Sequence, residues 1–413
     1  MIMDARRVAE DAARTSYGRL VALLASRDRD LAAAEDALSD AFVAALKSWP
    51  ETGVPTNPKG WLMTAARNRM SNLYRHDRMR AGLADDLERH FAASMQDIGA
   101  FPDERLKLLF VCAHPAIDSA IRTPLMMQTV LGLDAARIAS AFLTSPATMG
   151  QRLVRAKAKI RDAAIRFEVP DADVMPERLT FVLDAIYAAF GQAWDAVPGG
   201  DSGAVDLTAE AIFLGRLLVS LLPGSAEAKG LLALMLYCEA RRGARRSADG
   251  AFVPLDEQDP ALWSRDLIIE AEALLTEASA AATLGRYQTE AAIQSVHVQR
   301  PFFGETNYAA LRSLYALLVR QHPGLGAWLG YSGVLLKLGE VGEALAILDD
   351  MPTERVAAYQ PYWVLRAHVM RALSQLREAR HAADRAIGLT EDEAVRGYLL
   401  SKLMPLVKPE ATG

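Results

Sequence analysis

Apolar residues recur at intervals of three and four along almost the whole chain, and no stretch alternates convincingly between apolar and polar positions. This spacing gathers apolar side chains on one face of a helix. Alanine and leucine are also abundant, which favours helix through intrinsic propensity. The pattern predicts an all-α fold: two small helical domains, over residues 1–82 and 103–168, a linker over 83–102, and a helical repeat domain over 169–413.

The first domain contains a predicted helix over residues 30–49 that has two distinct faces. Its apolar stripe consists of Leu31, Ala34, Leu38, Ala41, Phe42 and Ala45. Beside this stripe lies an acidic patch of Glu35, Asp36, Ser39 and Asp40. Pro50, Gly53 and Pro55 predict a loop directly after the helix, because proline and glycine interrupt regular structure.

A basic helix follows this loop. Asn57 is a good N-cap and Pro58 fits the first helical turn. Away from the apolar stripe the helix carries cations, amides and aromatic rings: Trp61, Arg67, Asn68, Arg69, Asn72, Tyr74, Arg75, Arg78 and Arg80. Cations bind phosphates, amides bind base edges and rings stack on bases, so the composition favours nucleic-acid binding. A solvated basic surface is the simpler interpretation of a single helix of this kind.

A second pattern, near residue 140, predicts a helix-turn-helix motif. A short helix over 134–142 directs Ile138, Ala139 and Phe142 inward, and residues 143–144 form the turn. Ser145 and Pro146 begin a second helix, over 147–166, that buries Met149, Leu153 and Ile160. Its outward residues are Gln151, Arg152, Arg155, Lys157, Lys159 and Arg161. A recognition helix places such residues on base edges and phosphates in the major groove, although many αα-hairpins share the pattern.

The net charge of −5 conceals an asymmetry between the two halves of the chain. Residues 1–168 contain 24 Lys and Arg against 20 Asp and Glu, whereas the remainder contains 22 against 31. A basic front part and an acidic back part suggest DNA as a partner of the front part alone.

Several classes of protein are disfavoured by the sequence. No apolar run approaches the roughly 18 residues that a membrane span needs, and the charged N-terminus does not resemble a signal peptide. Two cysteines cannot form a disulfide framework, so we expect a cytoplasmic protein. Cys112 and His114 lack a second pair at zinc spacing, and we interpret them as a buried thiol and a histidine at a helix end. No phosphate loop or nucleophile motif is present, so we expect no cofactor, no metal and no enzymatic activity.

The C-terminal part repeats itself. Trp328 and Trp363 are 35 residues apart, and so are Ala344 and Ala379, within two similar helix pairs. Tetratricopeptide units have a period of about 34 residues, and they stack to leave a concave binding face. The segment 308–324 fits the second half of an earlier, degenerate unit. Generic helical hairpins are the alternative.

Taken together, these segments resemble a sigma factor of the extracytoplasmic-function (ECF) group in the sigma-70 family. Residues 30–50 resemble region 2.2, which docks on the clamp helices of core RNA polymerase, and residues 57–78 resemble regions 2.3 and 2.4, which melt and read the −10 element. Residues 134–161 resemble region 4.2, which reads the −35 element. The segments 249–268 and 285–298 resemble an ECF subgroup with a tetratricopeptide-like regulatory extension. The polar loop over 249–263 is expected to be ordered.

The resemblance implies partners and residues. Glu35, Asp36 and Asp40 are expected to bind core RNA polymerase. The residues expected to bind the single-stranded −10 element are Trp61, Arg67, Asn68, Asn72 and Arg75. Those expected to bind the −35 duplex are Thr148, Gln151, Arg152, Arg155, Lys157 and Lys159, with Gln151 and Arg155 on base edges. Two positions depart from the family pattern, because Arg137 replaces the usual Glu and Gly150 offers no side chain to a base.

The sequence leaves alternatives for the function of the protein and for the role of its extension. A freestanding helix-turn-helix regulator with a repeat sensor domain, or a repeat scaffold with a basic front half, would also fit parts of the pattern. The extension itself either masks the DNA-binding helices or supports their active arrangement, and its face is a candidate site for a protein or small-molecule regulator.

Overall fold

A computed structural model describes residues 2–28, 30–81, 104–142, 144–194, 203–281 and 284–406, and their structure is entirely helical apart from turns and one isolated β-bridge. The predicted all-α fold is confirmed. The predicted linker, residues 83–102, lies outside the described residues. The described chain forms two compact units, one over residues 1–196 and 200–214 and the other mainly over 215–413.

The first unit begins with three helices, α1 (Ile2–Asp28), α2 (Leu31–Thr52) and α3 (Pro58–Ala81). Four shorter helices follow: α4 (Arg105–Cys112), α5 (Ser119–Leu131), α6 (Ala135–Ala141) and α7 (Pro146–Asp162). Helix α8 (Met175–Trp194) also belongs to this unit, and α9 (Gly203–Leu221) runs on into the second. The first unit therefore contains both predicted DNA-binding helices, α3 and α7.

The second unit consists of helical hairpins. Its helices are α10 (Ala226–Ala240), α11 (Arg265–Ala278), α12 (Arg286–Val298), α13 (Arg300–Phe303), α14 (Tyr308–Gln321), α15 (Leu325–Lys337), α16 (Val341–Asp350), α17 (Thr353–Val356), α18 (Gln360–Ala372), α19 (Leu376–Gly388) and α20 (Glu393–Leu406). Consecutive helices pack side by side, as α18 does on α19 and α15 on α16.

The predicted N-caps form as the sequence indicated. The Asn57 side chain accepts a hydrogen bond from the Gly60 amide at 3.0 Å, and α3 begins with Pro58. Ser145 caps α7 by accepting from the Thr148 amide at 3.2 Å. Each cap satisfies an amide that has no partner within its own helix. The two helices predicted to bind DNA therefore begin where the sequence placed them.

Three local predictions are wrong. Helix α2 continues through Pro50 to Thr52 and ends at Gly53, whose φ of 85° suits glycine. Helix α7 ends at Asp162 rather than near residue 166, because Ala164 adopts a φ of 48° and the Ile165 amide turns back to the Ile160 carbonyl at 3.1 Å. This Schellman-type turn buries Ile165. Phe142, expected inside, is 37% exposed, because the short helix α6 ends one residue earlier.

Helices from along the whole first unit contribute to its buried apolar side chains. Large buried side chains come from α2 (Trp49), α3 (Met70) and α4 (Phe110). Helix α8 packs against α5 and contributes the buried Leu183 and Phe190. The segment that follows residue 168 thus begins by packing on α5, within the same compact unit as the helix-turn-helix.

The repeat predicted from Trp328 and Trp363 is visible in the second unit. Ala344 and Ala379 are both fully buried where the second helix of each pair meets the first. In addition, Gly339 and Ser374, again 35 residues apart, both adopt a left-handed conformation, with φ of 83° and 61°. Each ends the first helix of its pair with the same turn, so the repeat extends to the backbone.

The polar loop over 249–263 is ordered, as predicted. Arg300 donates hydrogen bonds to the carbonyls of Leu255, Asp256 and Gln258 at 3.1, 2.6 and 2.7 Å. From the C-terminal end, Lys402 pairs with Glu257 at 2.9 Å. Residues far apart in the chain thus hold the loop in place.

Candidate polymerase and nucleic-acid interfaces

Helix α3 presents one continuous polar stripe. Trp61, Asn68 and Asn72 are separated by seven and four residues, which places them on the same side of a helix. Asn68 and Asn72 are exposed and Trp61 is half-buried. We call these three residues the α3 stripe. Arg67 lies on another side and is half-buried. Arg75 belongs to α3, but its side chain is outside the described part of the chain.

Opposite this stripe, Leu62, Ala66 and Met70 are buried and fix α3 to the core. Because the apolar side is anchored, the rotation of the helix is set and the amides face outward. The arrangement can offer hydrogen bonds from two amides and one half-open aromatic face to a single strand of bases.

The acidic patch of α2 divides into two parts. Asp36 and Asp40, four residues apart, are both exposed on one face. The Asp40 carboxylate also accepts a hydrogen bond from Arg69 Nε of α3 at 2.7 Å. Glu35 lies on a different side and is only 8% exposed. The expected polymerase-binding set is therefore not a single surface here, since Glu35 is separated from the other two residues.

Helix α7 also presents a single stripe. Its members lie within an arc of about 100° on the helix: Thr148, Gln151, Arg152, Arg155 and Lys159. All five are exposed, whereas Met149, Leu153 and Ile160 are buried on the opposite side. We call these five residues the α7 stripe. Three cations, an amide and a hydroxyl on one side match the side chains that bind phosphates and base edges in a major groove.

Lys157 does not belong to this stripe, and the prediction that it points outward is wrong. It lies about 160° round the helix from Arg155 and is 9% exposed. Its ammonium group forms a buried ion pair with the Glu35 carboxylate of α2. The helical period alone could have excluded Lys157 from the outward set. Its partner, 122 residues away in sequence, was not visible in any local pattern.

Burial governs the electrostatics around this pair. Desolvation raises the pKa of Glu35, and the neighbouring Lys157 opposes that rise. The pKa of Tyr17 in α1 is also raised, by burial and then by the charges of Glu35 and Asp36. Burial raises the pKa of the Cys112 thiol to about 12, so this thiol is protonated at neutral pH. The interpretation of Cys112 as a buried thiol is confirmed.

Sequence reasoning missed two contributors to this region. Arg69 was recognised only as one of several cations, yet it joins α3 to α2 through Asp40. No role was predicted for Gly18 of α1, although a Cβ placed there would lie 2.0 Å from the Val130 carbonyl oxygen of α5. A glycine within an amphipathic helix was the only available signal.

Acidic residues of the ordered loop form ion pairs and a helix cap within the protein. Asp256 pairs with Lys337 at 3.0 Å, Glu257 pairs with Lys402, and Asp259 caps a short 3-10 turn through the Ala261 amide. In the described part of the chain, no group of three His, Cys, Asp or Glu side chains is arranged to hold a metal ion. No helix in that part is both long and apolar enough to cross a membrane.

Comparisons with known proteins match two parts of this chain to protein families and most of the chain to one relative. The family model for sigma-70 region 2 matches residues 13–80, which contain α2 and almost all of α3. A family of unknown function, DUF6596, matches residues 178–279. An uncharacterized protein of Rhizobium meliloti (strain 1021) is 37% identical over 392 residues, which cover 93% of this chain and 92% of that protein. No solved structure matches the chain.

The match to region 2 falls on the two helices that carry the acidic patch and the α3 stripe. The relative from Rhizobium meliloti spans the front part and the extension together, so the two parts occur in one chain in both proteins. The protein therefore belongs to the sigma-70 family of sigma factors, and its C-terminal extension is consistent with an ECF-like member.

Proposed function

We propose that this sigma factor directs core RNA polymerase to promoters by binding the −10 element with the α3 stripe and the −35 element with the α7 stripe. The observation that carries the proposal is the presence of two separate exposed polar stripes, each on a helix whose opposite side is anchored in the core. Asp36 and Asp40 would contribute the charge that complements the polymerase. The protein would act in the cytoplasm, without catalysis of its own.

On the opened −10 strand, Trp61 stacks on a base while Asn68 and Asn72 bind base edges, with Arg67 and Arg75 near the phosphates. Stacking contributes about 1–3 kcal/mol per base, which offsets the few kcal/mol needed to unstack a base. On the −35 duplex, Gln151 and Arg155 bind base edges and Arg152 and Lys159 bind phosphates. Thr148 touches phosphate or a thymine methyl group.

The extension is proposed to regulate this activity. Its tetratricopeptide-like pairs would offer a face for a protein or small-molecule regulator. Masking of the DNA-binding helices and support of their active arrangement predict opposite effects of removing the second unit: more transcription in the first case and less in the second.

The test is run-off transcription with purified core polymerase on a library of candidate −35/−10 promoters. The full chain should give promoter-selective transcripts that require polymerase, and Asn68→Ala and Arg155→Ala should abolish or strongly reduce them. Matched controls are Lys59→Ala and Arg161→Ala, which remove exposed cations from the same two helices outside the stripes. These controls should keep activity.

A different result would favour another function. If the full chain does not bind core polymerase but shifts duplex DNA alone, and Arg155→Ala removes that shift, the protein acts as a freestanding helix-turn-helix regulator. Equal losses in stripe and control variants would contradict the assignment of both stripes.

A further inference from the structure

We propose that a cavity in the first unit binds a free amino acid with a short apolar side chain. The cavity lies where the turn after α4, the turn after α7 and the first turn of α8 meet, and its volume is about 240 Å³. One water molecule needs about 10–15 Å³ of such space, whereas pockets for drug-sized ligands have about 300–1,000 Å³. The volume therefore fits a small molecule. The cavity belongs to neither stripe, so the inference goes beyond the proposed function.

Hydrogen-bonded turns form the walls of the cavity. After α4, Nδ1 of His114 accepts a hydrogen bond from the Ala116 amide at 3.1 Å. After α7, Ala164 reverses the chain with a φ of 48°. Before α8, the Asp171 carbonyl accepts a hydrogen bond from the Met175 amide at 3.0 Å. Because these turns are held by the protein itself, a ligand that enters the cavity does not have to order them.

Two residues that line the cavity supply hydrogen-bond donors. Arg178 is half-buried, and its Nε is buried with no hydrogen-bond partner in the described part of the chain. Burial, followed by the charges of Arg178 and Arg122, lowers the pKa of His114, so this ring is neutral at neutral pH. Since Nδ1 of His114 accepts the Ala116 amide, Nε2 carries the proton and donates. An oxyanion would satisfy the buried arginine nitrogen, which otherwise costs free energy.

Acidic and apolar residues complete the lining. The exposed carboxylates of Glu168 and Asp171 face no cationic partner within salt-bridge distance among the described residues. They repel a phosphate, which carries more negative charge than a carboxylate, but they attract an ammonium group. Pro170 and Val174 add apolar surface. A free amino acid satisfies all three features, with its carboxylate on Arg178, its ammonium group on the two acids and its side chain on the apolar surface.

The experiment is isothermal titration calorimetry of the full chain with L-valine. Three further probes each lack one part of valine: isovalerate lacks the ammonium group, isobutylamine lacks the carboxylate and glycine lacks the side chain. We expect saturable binding of L-valine. Each of the other three probes should bind at least about tenfold more weakly, because each loses a charged hydrogen bond or the apolar contact.

Variants assign each group of the ligand to its partner. Arg178→Gln should weaken L-valine and isovalerate alike by about tenfold, since both lose the cation that binds the carboxylate. Glu168→Gln with Asp171→Asn should weaken L-valine but not isovalerate. Asp171 holds the start of α8 through its main-chain carbonyl, which this change keeps. Arg137→Gln is the matched control, because Arg137 is exposed in the same unit and does not line the cavity. Urea unfolding verifies that each variant is folded.

Two outcomes on the unaltered protein would overturn the proposal: no saturable binding of L-valine, or equal affinities for L-valine and isovalerate. A third would do so as well, namely folded Arg178→Gln protein that binds L-valine as tightly as Arg137→Gln does. The titrations require neither core polymerase nor DNA. A failure of the proposed function would therefore leave the amino-acid site standing, and a failure of the site would leave the proposed function untouched.

Discussion

The rings of Trp49 and Trp61 meet edge to face, with their centroids 5.5 Å apart and their planes at 70°. Trp49 is almost fully buried near the end of α2, whereas Trp61 is half-buried in the first turns of α3. The buried ring therefore holds the outer ring in a fixed orientation. Such pairs contribute about 0.5–1.5 kcal/mol beyond the area that they bury. The orientation of Trp61, at one end of the α3 stripe, is thus set before any base arrives.

This arrangement leads to a prediction for Trp61→Ala. Loss of the ring should weaken binding to a single-stranded −10 oligonucleotide by about 1–3 kcal/mol, because one stacking platform disappears. Trp61→Phe should recover part of the loss. Fluorescence anisotropy with the full chain measures both affinities. Binding of a −35 duplex serves as the internal control, and an equal loss on both DNAs would mean that Trp61 acts through the fold.

The exposed acids of α2 give a second prediction. Asp36→Asn with Asp40→Asn should slow association with core polymerase and reduce its dependence on salt, because complementary charges steer encounter. The free energy of unfolding should fall by no more than about 1 kcal/mol, since the Asp40–Arg69 pair is over half exposed on both sides and strongly screened.

Kinetics of polymerase binding at two salt concentrations, together with urea unfolding, measure both effects. Glu51→Gln, at the exposed end of the same helix, is the matched control. If the double variant associates as fast as the control, Asp36 and Asp40 are not part of the polymerase surface.

His297 in the second unit gives a prediction for pH. Burial, followed by the charge of Arg241, lowers its pKa from 6.5 to about 4. The folded protein then binds this proton less readily than the unfolded chain. Above about pH 7, His297 therefore does not change the free energy of unfolding. As pH falls from 6.5 to 4, it lowers the free energy of unfolding progressively. Between pH 7.5 and pH 5 the free energy of unfolding falls by about 2 kcal/mol because of this group.

Urea unfolding of the full chain as a function of pH measures this loss, with His297→Asn for comparison. The variant should lose about 2 kcal/mol less than the wild type over the same range. His322, whose side chain is exposed on the same unit, provides the control as His322→Asn. Parallel pH profiles for the wild type and His297→Asn would contradict the prediction.

Helix caps, first-turn prolines and repeat spacing made part of this structure predictable from the sequence. Asn57-Pro58 and Ser145-Pro146 each combine a side-chain cap with a proline in the first turn, and both helices begin there. The alanine and tryptophan spacing near the C-terminus likewise revealed the repeat, because each unit must bury the same positions. Helical periodicity placed the residues of the α3 stripe and most of those of the α7 stripe away from the apolar side of each helix. It did not separate them from neighbouring cations such as Arg67 and Lys157.

What the sequence could not reveal depends on distant contacts. Glu35 and Lys157 both looked like surface charges, and only the packing of α2 against α7 buries them together. The loop over 249–263 was expected to be ordered, but its anchors at Arg300, Lys337 and Lys402 come from three later helices. The end of α7 was misplaced because Ala164 adopts a left-handed conformation that alanine seldom favours.

The boundary at residue 168 gives the last prediction. Helix α8 begins only seven residues later, packs on α5 and buries Val182, Leu183, Ile186 and Phe190. A 1–168 fragment would leave the facing side of α5 in water. A fragment of residues 1–214 ends where the first unit ends and keeps this contact. At about 1.5–3 kcal/mol for each large apolar side chain, the shorter fragment should be less stable by more than about 3 kcal/mol. Urea unfolding of the two fragments measures the difference. Equal stability would mean that α8 does not stabilise the rest of the first unit. The expected loss would show that the fragment to compare with the full chain, when the effect of the extension is assayed, is 1–214 and not 1–168.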